Sequence, residues 1–126
     1  MREIEFRGQN INGHWTHGNL AIIKEKLDRA EIGTYISNSA GAPFAYQVRP
    51  ETVGQYTGLK DKNGNKIFEG DIGWDEHNEY YGVVKFEEGK FLYVWENIVE
   101  DLWEVADGID ICGNIHENPE LLEGTE

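Results

Sequence analysis

The stretch from Thr52 to Ile72 is dense in turn-forming residues and almost free of the side chains that carry out catalysis. At its centre, Asn63-Gly64 lies between two runs that have the composition of extended chain. Asn-Gly is a strong hairpin signal, because a type I′ turn requires positive φ at both of its central residues. A two-residue loop here would place Asp61 opposite Lys66. The stretch therefore predicts a β-hairpin in a β-rich chain.

A second hairpin is predicted from Tyr80–Phe86 and Phe91–Trp95, which flank the turn Glu87–Lys90. Pairing the residues outward from the turn makes both faces of the hairpin largely apolar, which a sheet with one face in water would not tolerate. We therefore expect the hairpin to be wrapped into a small barrel or sandwiched. The expected pairs are Phe86 with Phe91, Lys85 with Leu92, Val84 with Tyr93, Val83 with Val94, and Gly82 with Trp95, whose indole would lie across bare backbone.

Most of the remaining chain consists of short segments with the alternation typical of strands. Leu20–Ile32 is ambiguous, because its apolar residues have helical spacing whereas Ala21–Ile23 would equally close a strand. Ile98–Val105 predicts a short helix with Asn97 as its N-cap. Further strands are predicted at Ile4–Arg7, Thr34–Ser37, Phe44–Val48 and Ile109–Ile115, and a helical turn at Asn118–Leu122.

Length and charge bound the organisation of the chain. Its 126 residues suffice to form a hydrophobic core without the help of disulfide bonds. Because the chain has a single cysteine, it cannot form an intramolecular disulfide bond. We expect a β-rich subdomain at residues 1–49 and a barrel subdomain at residues 50–126, which could form one compact unit. Residues 1–50 hold six Lys/Arg and five Asp/Glu, whereas residues 51–126 hold five and nineteen, a net charge of −14. This field repels nucleic-acid phosphates and attracts basic partners.

Two segments carry a family resemblance. PETVGQYTGLKDKNGNKIFEGDI (Pro50–Ile72) and GNIHENPELL (Gly113–Leu122) resemble the YopX family of phage and prophage proteins, and the opening MREIEFRG resembles its usual start. The resemblance implies a mainly β protein whose C-terminal part is similar to an SH3-like barrel. It also implies a phage- or prophage-encoded protein in the bacterial cytoplasm. The family has no established activity, so the resemblance implies no catalytic residues in this chain.

No motif predicts catalysis, a cofactor or a metal site. His14 and His17 would point to opposite faces of a strand, and Asp75–Glu79 lacks the spacing of a calcium-binding loop. Asp71 is expected to hold a turn by accepting backbone N–H bonds, and Cys112 to be a buried, inert thiol. We therefore predict a protein that is not an enzyme and uses no cofactor. With no apolar run of about 18 residues, we expect no membrane span.

The aromatic residues offer the best candidate for a binding surface. They could form the core or a partly exposed docking face, and the sequence leaves both open. Acidic residues over Trp95–Asp110 would surround two Trp side chains with a polar rim, as at interface hot spots. We predict a basic protein partner or self-association here; the alternative is a nucleic-acid-binding SH3-like module, which the charge opposes. The candidate residues are Trp95, Glu100, Trp103 and Glu104, within an aromatic set that adds Trp74, Tyr80, Tyr81 and Tyr93.

Overall fold

The structure is a computed structural model, and it describes residues 4–26, 31–37 and 45–123. The chain divides into two compact units, Met1–Gln55 (unit 1) and Tyr56–Glu126 (unit 2). Both units are built mainly of antiparallel strands with a few short helices, which confirms the mainly β fold class.

Unit 1 is a meander of antiparallel strands. The elements are β1 Phe6–Gln9, β2 Trp15–Ile23, β3 Gly33–Ser37, β4 Ala45–Val48, a 3₁₀ helix at Pro50–Thr52 and the start of β5 Gly54–Lys60. The strands pair in the order β4-β3-β2-β1, and the first residues of β5 pair with β1. In the turn before β2, the Asn10 side chain accepts hydrogen bonds from the N–H groups of Asn12 and His14.

Buried polar groups join β1 to the 3₁₀ helix. The Gln9 N–H donates to Thr52 Oγ1 (2.9 Å), and the Thr52 hydroxyl donates to the Arg49 carbonyl (2.6 Å). The Arg49 N–H donates to the Gln9 carbonyl (2.8 Å), and Arg49 Nη2 donates to Gln9 Oε1 (2.5 Å). Since Gln9 and Thr52 are both buried, these bonds satisfy groups that would otherwise destabilise the fold.

The ambiguous segment Leu20–Ile32 begins as a strand. β2 extends through Ile23, which lies opposite Gly33 of β3. Pairing with β3 satisfies the backbone of this segment, and that tertiary pairing outweighs the helical spacing of its apolar residues. Residues 27–30 and Phe44, at the start of another predicted strand, lie outside the described residues.

Unit 2 contains the pairing of β5 with β6 and a five-stranded antiparallel sheet. Its elements are β6 Lys66–Phe68, β7 Asp71–Asp75, β8 Tyr80–Glu87, β9 Lys90–Trp95, β10 Ile98–Asp101, α1 Leu102–Val105, a 3₁₀ helix at Ala106–Gly108, β11 Ile109–Asn114 and α2 Glu120–Glu123. The sheet order is β10-β9-β8-β7-β11, so β10 and β11 are its edges. Within the described residues these edges do not pair with each other, and the closed barrel predicted for residues 50–126 is not formed. Ile67, Leu102 and Ala106 join the core instead, which buries the apolar face without strand closure.

Tyr93 lies fully buried (0% exposed) at the centre of this core. Its ring covers Gly73 and Gly82, which are cross-strand partners in β7 and β8. A Cβ atom added to Gly82 would lie 2.6 Å from Cε2 of Tyr93, so a side chain there would overlap the ring. The Tyr93 hydroxyl donates to the Gly73 carbonyl (2.9 Å). The two glycines therefore provide the space that the ring occupies and an acceptor for its polar end.

The pairing of β8 with β9 confirms most of the predicted register, from Phe86 opposite Phe91 to Val83 opposite Val94. The ring over Gly82, however, belongs to Tyr93 and not to Trp95. A long aromatic side chain reaches its diagonal neighbours on the adjacent strand. Tyr93, opposite Val84, therefore covers the glycine two residues away.

The turn at Asn63-Gly64 differs from the predicted one. Of its two central residues only Gly64 has positive φ (85°), and the Asp61 N–H donates to the Asn65 carbonyl (2.9 Å). These features define a three-residue loop with a glycine bulge. Asp61 therefore lies opposite Asn65 and not opposite Lys66. The Asp61 carboxylate accepts the N–H groups of Asn63 and Asn65, which fixes the longer loop.

The type I′ pattern occurs instead at Glu88-Gly89, where both central residues have positive φ (52° and 84°) between the paired Glu87 and Lys90. We expect Glu88→Asn to raise the free energy of unfolding by about 0.5–1 kcal/mol, because Asn tolerates the left-handed conformation better than Glu. Urea unfolding would measure this. Glu76→Asn is the control, because it removes the same charge from an exposed loop residue without positive φ. An equal gain in both variants would contradict the conformational explanation.

The helix predicted over Ile98–Val105 is wrong in its first half. Ile98 and Val99 lie in β10, opposite Trp95 and Val94, and β-branched residues favour this pairing. Asn97 lies in the two-residue turn before β10 and does not cap a helix. The helical part is confined to α1. The sheet consequently gains an edge strand in the region where the binding surface was predicted.

Candidate partner-binding surface

Tyr80 and Trp95 form an aromatic pair at the beginning of β8 and the end of β9. Their ring centroids are 5.1 Å apart with an angle of 34° between the ring planes. Both side chains are half-buried, and Trp95 packs against the core of unit 2. Packing against the core therefore fixes the position of the pair, and part of each ring remains accessible to solvent.

Carboxylates occupy the polar ends of both rings. Trp95 Nε1 donates to Glu100 Oε2 (2.9 Å). A hydrogen bond between Tyr80 and Glu96, followed by the Glu96 charge, raises the pKa of the Tyr80 hydroxyl. Glu96 has positive φ (51°) in the turn between β9 and β10. The arrangement places negative charge at the polar edges of two electron-rich rings, which is an environment that a Lys or Arg side chain of a partner favours.

We define the Tyr80–Trp95 surface as Tyr80, Trp95, Glu96, Ile98 and Glu100. Ile98 belongs to it because it lies opposite Trp95 in the β9–β10 pair, and opposite residues share a face of the sheet. It is 42% exposed. The surface therefore combines an apolar contact, two aromatic rings and two carboxylates within one corner of the sheet.

Of the four predicted residues, the structure joins Trp95 and Glu100 by a direct hydrogen bond. Trp103 and Glu104 lie on α1, where Trp103 is 70% exposed while the preceding Leu102 is buried. The short helix thus inserts one side chain into the core and presents the next one to solvent. Glu96 lies among the acidic residues of the predicted rim, whereas Ile98 was not predicted as a site residue. Two consecutive β-branched residues after a turn, Ile98 and Val99, were the sequence signal for β10.

The aromatic set separates into three groups. Tyr93 is core, as described above. Trp74 and Tyr81 are cross-strand partners with ring centroids 4.8 Å apart, on the face of the sheet opposite to Tyr80, because neighbouring residues of a strand point to opposite faces. The remaining Tyr80, Trp95 and Trp103 are at least partly exposed. The core alternative therefore holds for Tyr93, and the partly exposed residues keep the docking role as a prediction.

The two edges of the unit 2 sheet differ. Along β11, the Ile109 carbonyl accepts the Lys62 N–H (3.0 Å), the Ile111 N–H donates to Asp61 Oδ2 (2.9 Å), and the register shifts at a bulge around Cys112. The loop that contains Asp61 thus covers this edge. Along β10, the described residues include no further strand.

The other candidate groups have structural roles. Asp71 Oδ2 accepts the Phe68 N–H (2.8 Å) and holds the turn between β6 and β7, as predicted. Asp75 Oδ1 accepts the N–H groups of His77 (3.0 Å) and Asn78 (3.2 Å), which orders the loop before β8. In the part of the chain that the structure describes, no three His, Cys, Asp or Glu residues are grouped to hold a metal ion.

Cys112 is exposed, so the prediction of a buried thiol is wrong. The bulge in β11 turns it outward, and its thiol donates to the Asp110 carbonyl (3.2 Å). Partial desolvation, followed by the charges of Asp110 and Asp61, raises the pKa of the thiol.

We expect Cys112 to react with a maleimide more slowly than N-acetylcysteine amide, which has no carboxylate, at pH 7.5, because the thiolate is the reactive form and a raised pKa depletes it. Asp110→Asn should accelerate the reaction, and Asp107→Asn, on an exposed residue, is the matched control. A reaction faster than that of N-acetylcysteine amide would contradict the electrostatic argument. Stopped-flow labelling across pH 7–10 would give the pKa directly.

The described residues thus define the class of a small, mainly antiparallel β protein that presents an acidic and aromatic surface at one end of an open sheet. They contain no helix long and apolar enough to cross a membrane. The sequence profile of the YopX protein family matches residues 5–123, and the chain belongs to this family.

Comparison with solved structures gives a consistent result. The crystal structure of protein EF1440 from Enterococcus faecalis is similar to this chain, with a TM-score of 0.61 and 26% sequence identity over 97% of this chain and 99% of that one. None of the curated proteins compared with the chain matches it. The comparisons thus establish a family and a fold.

Proposed function

We propose that this chain is a non-enzymatic accessory protein, encoded by a phage or prophage and acting in the bacterial cytoplasm, that binds a basic protein partner near Trp95–Asp110. The observation that carries the proposal is the Tyr80–Trp95 pair with a carboxylate at the polar end of each ring. A cation over such rings is stabilised by the ring quadrupole and by the nearby negative charges.

The surroundings of the pair support the same function. Trp103, 70% exposed on α1, provides an apolar anchor of the kind that interface hot spots favour. Glu104 and Asp107 are exposed beside it in the sequence. The net charge of −14 in residues 51–126 would accelerate the encounter with a basic protein, and salt would weaken the effect.

The first experiment identifies the partner by affinity capture from a bacterial host, in parallel with the wild type and Trp103→Ala. A protein that the wild type retains and the variant loses then enters association-rate measurements. We expect Trp103→Ala to weaken binding by about 2 kcal/mol. A partner that binds both equally would place the interface elsewhere.

Charge reversal tests the electrostatic part. Glu104→Lys with Asp107→Lys should reduce the association rate about tenfold at low salt and leave the melting temperature unchanged. Glu100 is spared, because its carboxylate accepts the Trp95 Nε1 hydrogen bond. The matched control is Glu120→Lys with Glu123→Lys, which changes the charge equally on exposed residues of α2. Equal slowing by both double variants would indicate a general field and not a local surface.

The nucleic-acid alternative leads to a different result. Residues 51–126 repel phosphates, so we expect no sub-micromolar binding to duplex DNA at physiological salt. Fluorescence anisotropy with labelled DNA would measure this affinity. Tight binding would favour the nucleic-acid function, with unit 1 as the first place to look, because residues 1–50 carry a near-neutral charge.

A further inference from the structure

The geometry of β10 exposes backbone groups on the outer side of the sheet. A two-residue turn joins Trp95 to Ile98, and such a turn closes on a hydrogen-bonded pair. Hydrogen-bonded and non-hydrogen-bonded pairs alternate along an antiparallel ladder. The N–H and C=O groups of Val99 and the N–H group of Asp101 therefore point away from β9, towards the position of a next strand. The Asp101 C=O is at the N-cap of α1, where it accepts the first helical hydrogen bond.

The side chains along this edge favour pairing with another strand. Val99 is 59% exposed on one face, and Ile98 is 42% exposed on the face of Trp95. Natural proteins protect exposed edges with short strands, charged side chains, proline, bulges or a covering loop. β11 has a bulge and a covering loop, whereas the four residues of β10, Ile-Val-Glu-Asp, are protected only by the shortness of the strand and by negative charge, which opposes an acidic strand but not a basic one.

The charge of the edge determines what kind of strand it accepts. Glu96, Glu100 and Asp101 lie within or beside β10, and Glu104 follows on α1. Lys90 pairs with Asp101 (3.1 Å) on the neighbouring strand, which leaves an acidic excess. A second copy would bring the same acidic residues together, and like charges across a strand pair are destabilising. A basic strand would meet opposite charges along the same edge.

We propose that β10 accepts an added strand: an extended, basic segment of the partner pairs with this open edge and extends a Lys or Arg side chain over Ile98 to the Tyr80–Trp95 surface. The proposal rests on the proposed function and specifies the form that its partner takes. The aliphatic stem of Lys or Arg packs on Ile98 while the charged head meets the rings and Glu100. The next residue of the segment lies against Val99 on the other face, so alternating basic and apolar residues fit best.

The test uses an acetylated and amidated peptide of alternating Arg and Val, about six residues long to match a typical strand. We expect saturable binding in NMR titrations, with slowed hydrogen exchange at the Val99 and Asp101 amides. The same peptide N-methylated on its pairing edge keeps the charges but loses the backbone donors, and it should bind at least tenfold more weakly. A Glu-Val peptide should not bind.

Variants of β10 test the addition of a strand independently of the binding of a basic partner. Val99→Pro removes an outward N–H group and should reduce binding of the Arg-Val peptide at least tenfold, whereas Val99→Thr keeps that group and should bind like the wild type. Thermal melts establish that both variants fold. If Trp103→Ala weakens partner binding while Val99→Pro and N-methylation have no effect, strand addition is overturned and the proposed function stands. Absence of peptide binding, or dimerisation through β10 in sedimentation runs, would also overturn it.

Discussion

Asp61→Ala is expected to lower the free energy of unfolding by about 2–4 kcal/mol, because the substitution removes the charged acceptor of three part-buried backbone hydrogen bonds. Asp61 is 5% exposed, and its carboxylate accepts hydrogen bonds from the N–H groups of Asn63 (2.9 Å), Asn65 (2.8 Å) and Ile111 (2.9 Å). It thereby joins the loop after β5 to an edge strand 50 residues later in the chain.

Urea unfolding of the wild type, Asp61→Ala and Asp61→Asn would measure this loss. Asn keeps one acceptor oxygen and should fall between the other two proteins. Asp107→Ala removes an exposed carboxylate and is expected to cost less than about 0.5 kcal/mol. A loss below about 1 kcal/mol in Asp61→Ala would show that water replaces these hydrogen bonds at little cost.

The Asp61 carboxylate also contributes to the loss of folding stability at low pH. Burial raises the pKa of Asp61, but the hydrogen bonds from Ile111, Asn65 and Asn63 outweigh it, and the pKa lies below the ordinary value of 3.8. A lowered pKa in the folded state contributes stability that is present above the unfolded value and is lost as the pH falls through the folded one. The decline of stability below pH 3.8 should therefore be shallower in Asp61→Asn than in the wild type.

Gly82→Ala is the second substitution for which we expect a large loss, of about 3 kcal/mol, because the added methyl group would overlap the ring of Tyr93 in a packed core. Gly108→Ala is the matched control. A Cβ there meets no atom within 4 Å, and the backbone does not have positive φ. Its effect should stay within about 0.5 kcal/mol. Similar losses at both positions would exclude the ring as the cause.

A double-mutant cycle attributes the effect to the pair. Tyr93→Ala alone should cost about 3–5 kcal/mol through the cavity that it leaves. In that background Gly82→Ala should cost far less than in the wild type, because the space above the glycine is then empty. Additive losses would contradict a direct contact between the two residues.

The β8–β9 register could be predicted because a tight turn fixes all pairs that follow it. Counting from Glu87–Lys90 identified Val84 opposite Tyr93 correctly. The same counting failed to place the ring over Gly82, since the reach of a side chain to its diagonal neighbours depends on its rotamer, and register does not specify rotamers.

The structural features that sequence patterns did not predict depend on contacts between residues that are distant in the sequence. The Asn63-Gly64 dipeptide favours a two-residue loop, yet Asp61 accepts N–H bonds inside a longer loop and is held by Ile111 from a distant strand. In the candidate surface, the proximity of Trp95 to Glu100 could be expected from their short separation. Their direct bond, and the pairing of Trp95 with Tyr80, depend on how β8, β9 and β10 align.

The unequal edges of the unit 2 sheet limit the size of any assembly made through it. Growth into a filament by strand pairing requires two accessible edges on each sheet, so that every added molecule offers a new end. Here the loop at Asp61 covers the β11 edge, whereas no strand among the described residues pairs with the outer side of β10. An association through β10 therefore stops after one step, because the added strand occupies the edge to which it binds. Each sheet can accept one added strand.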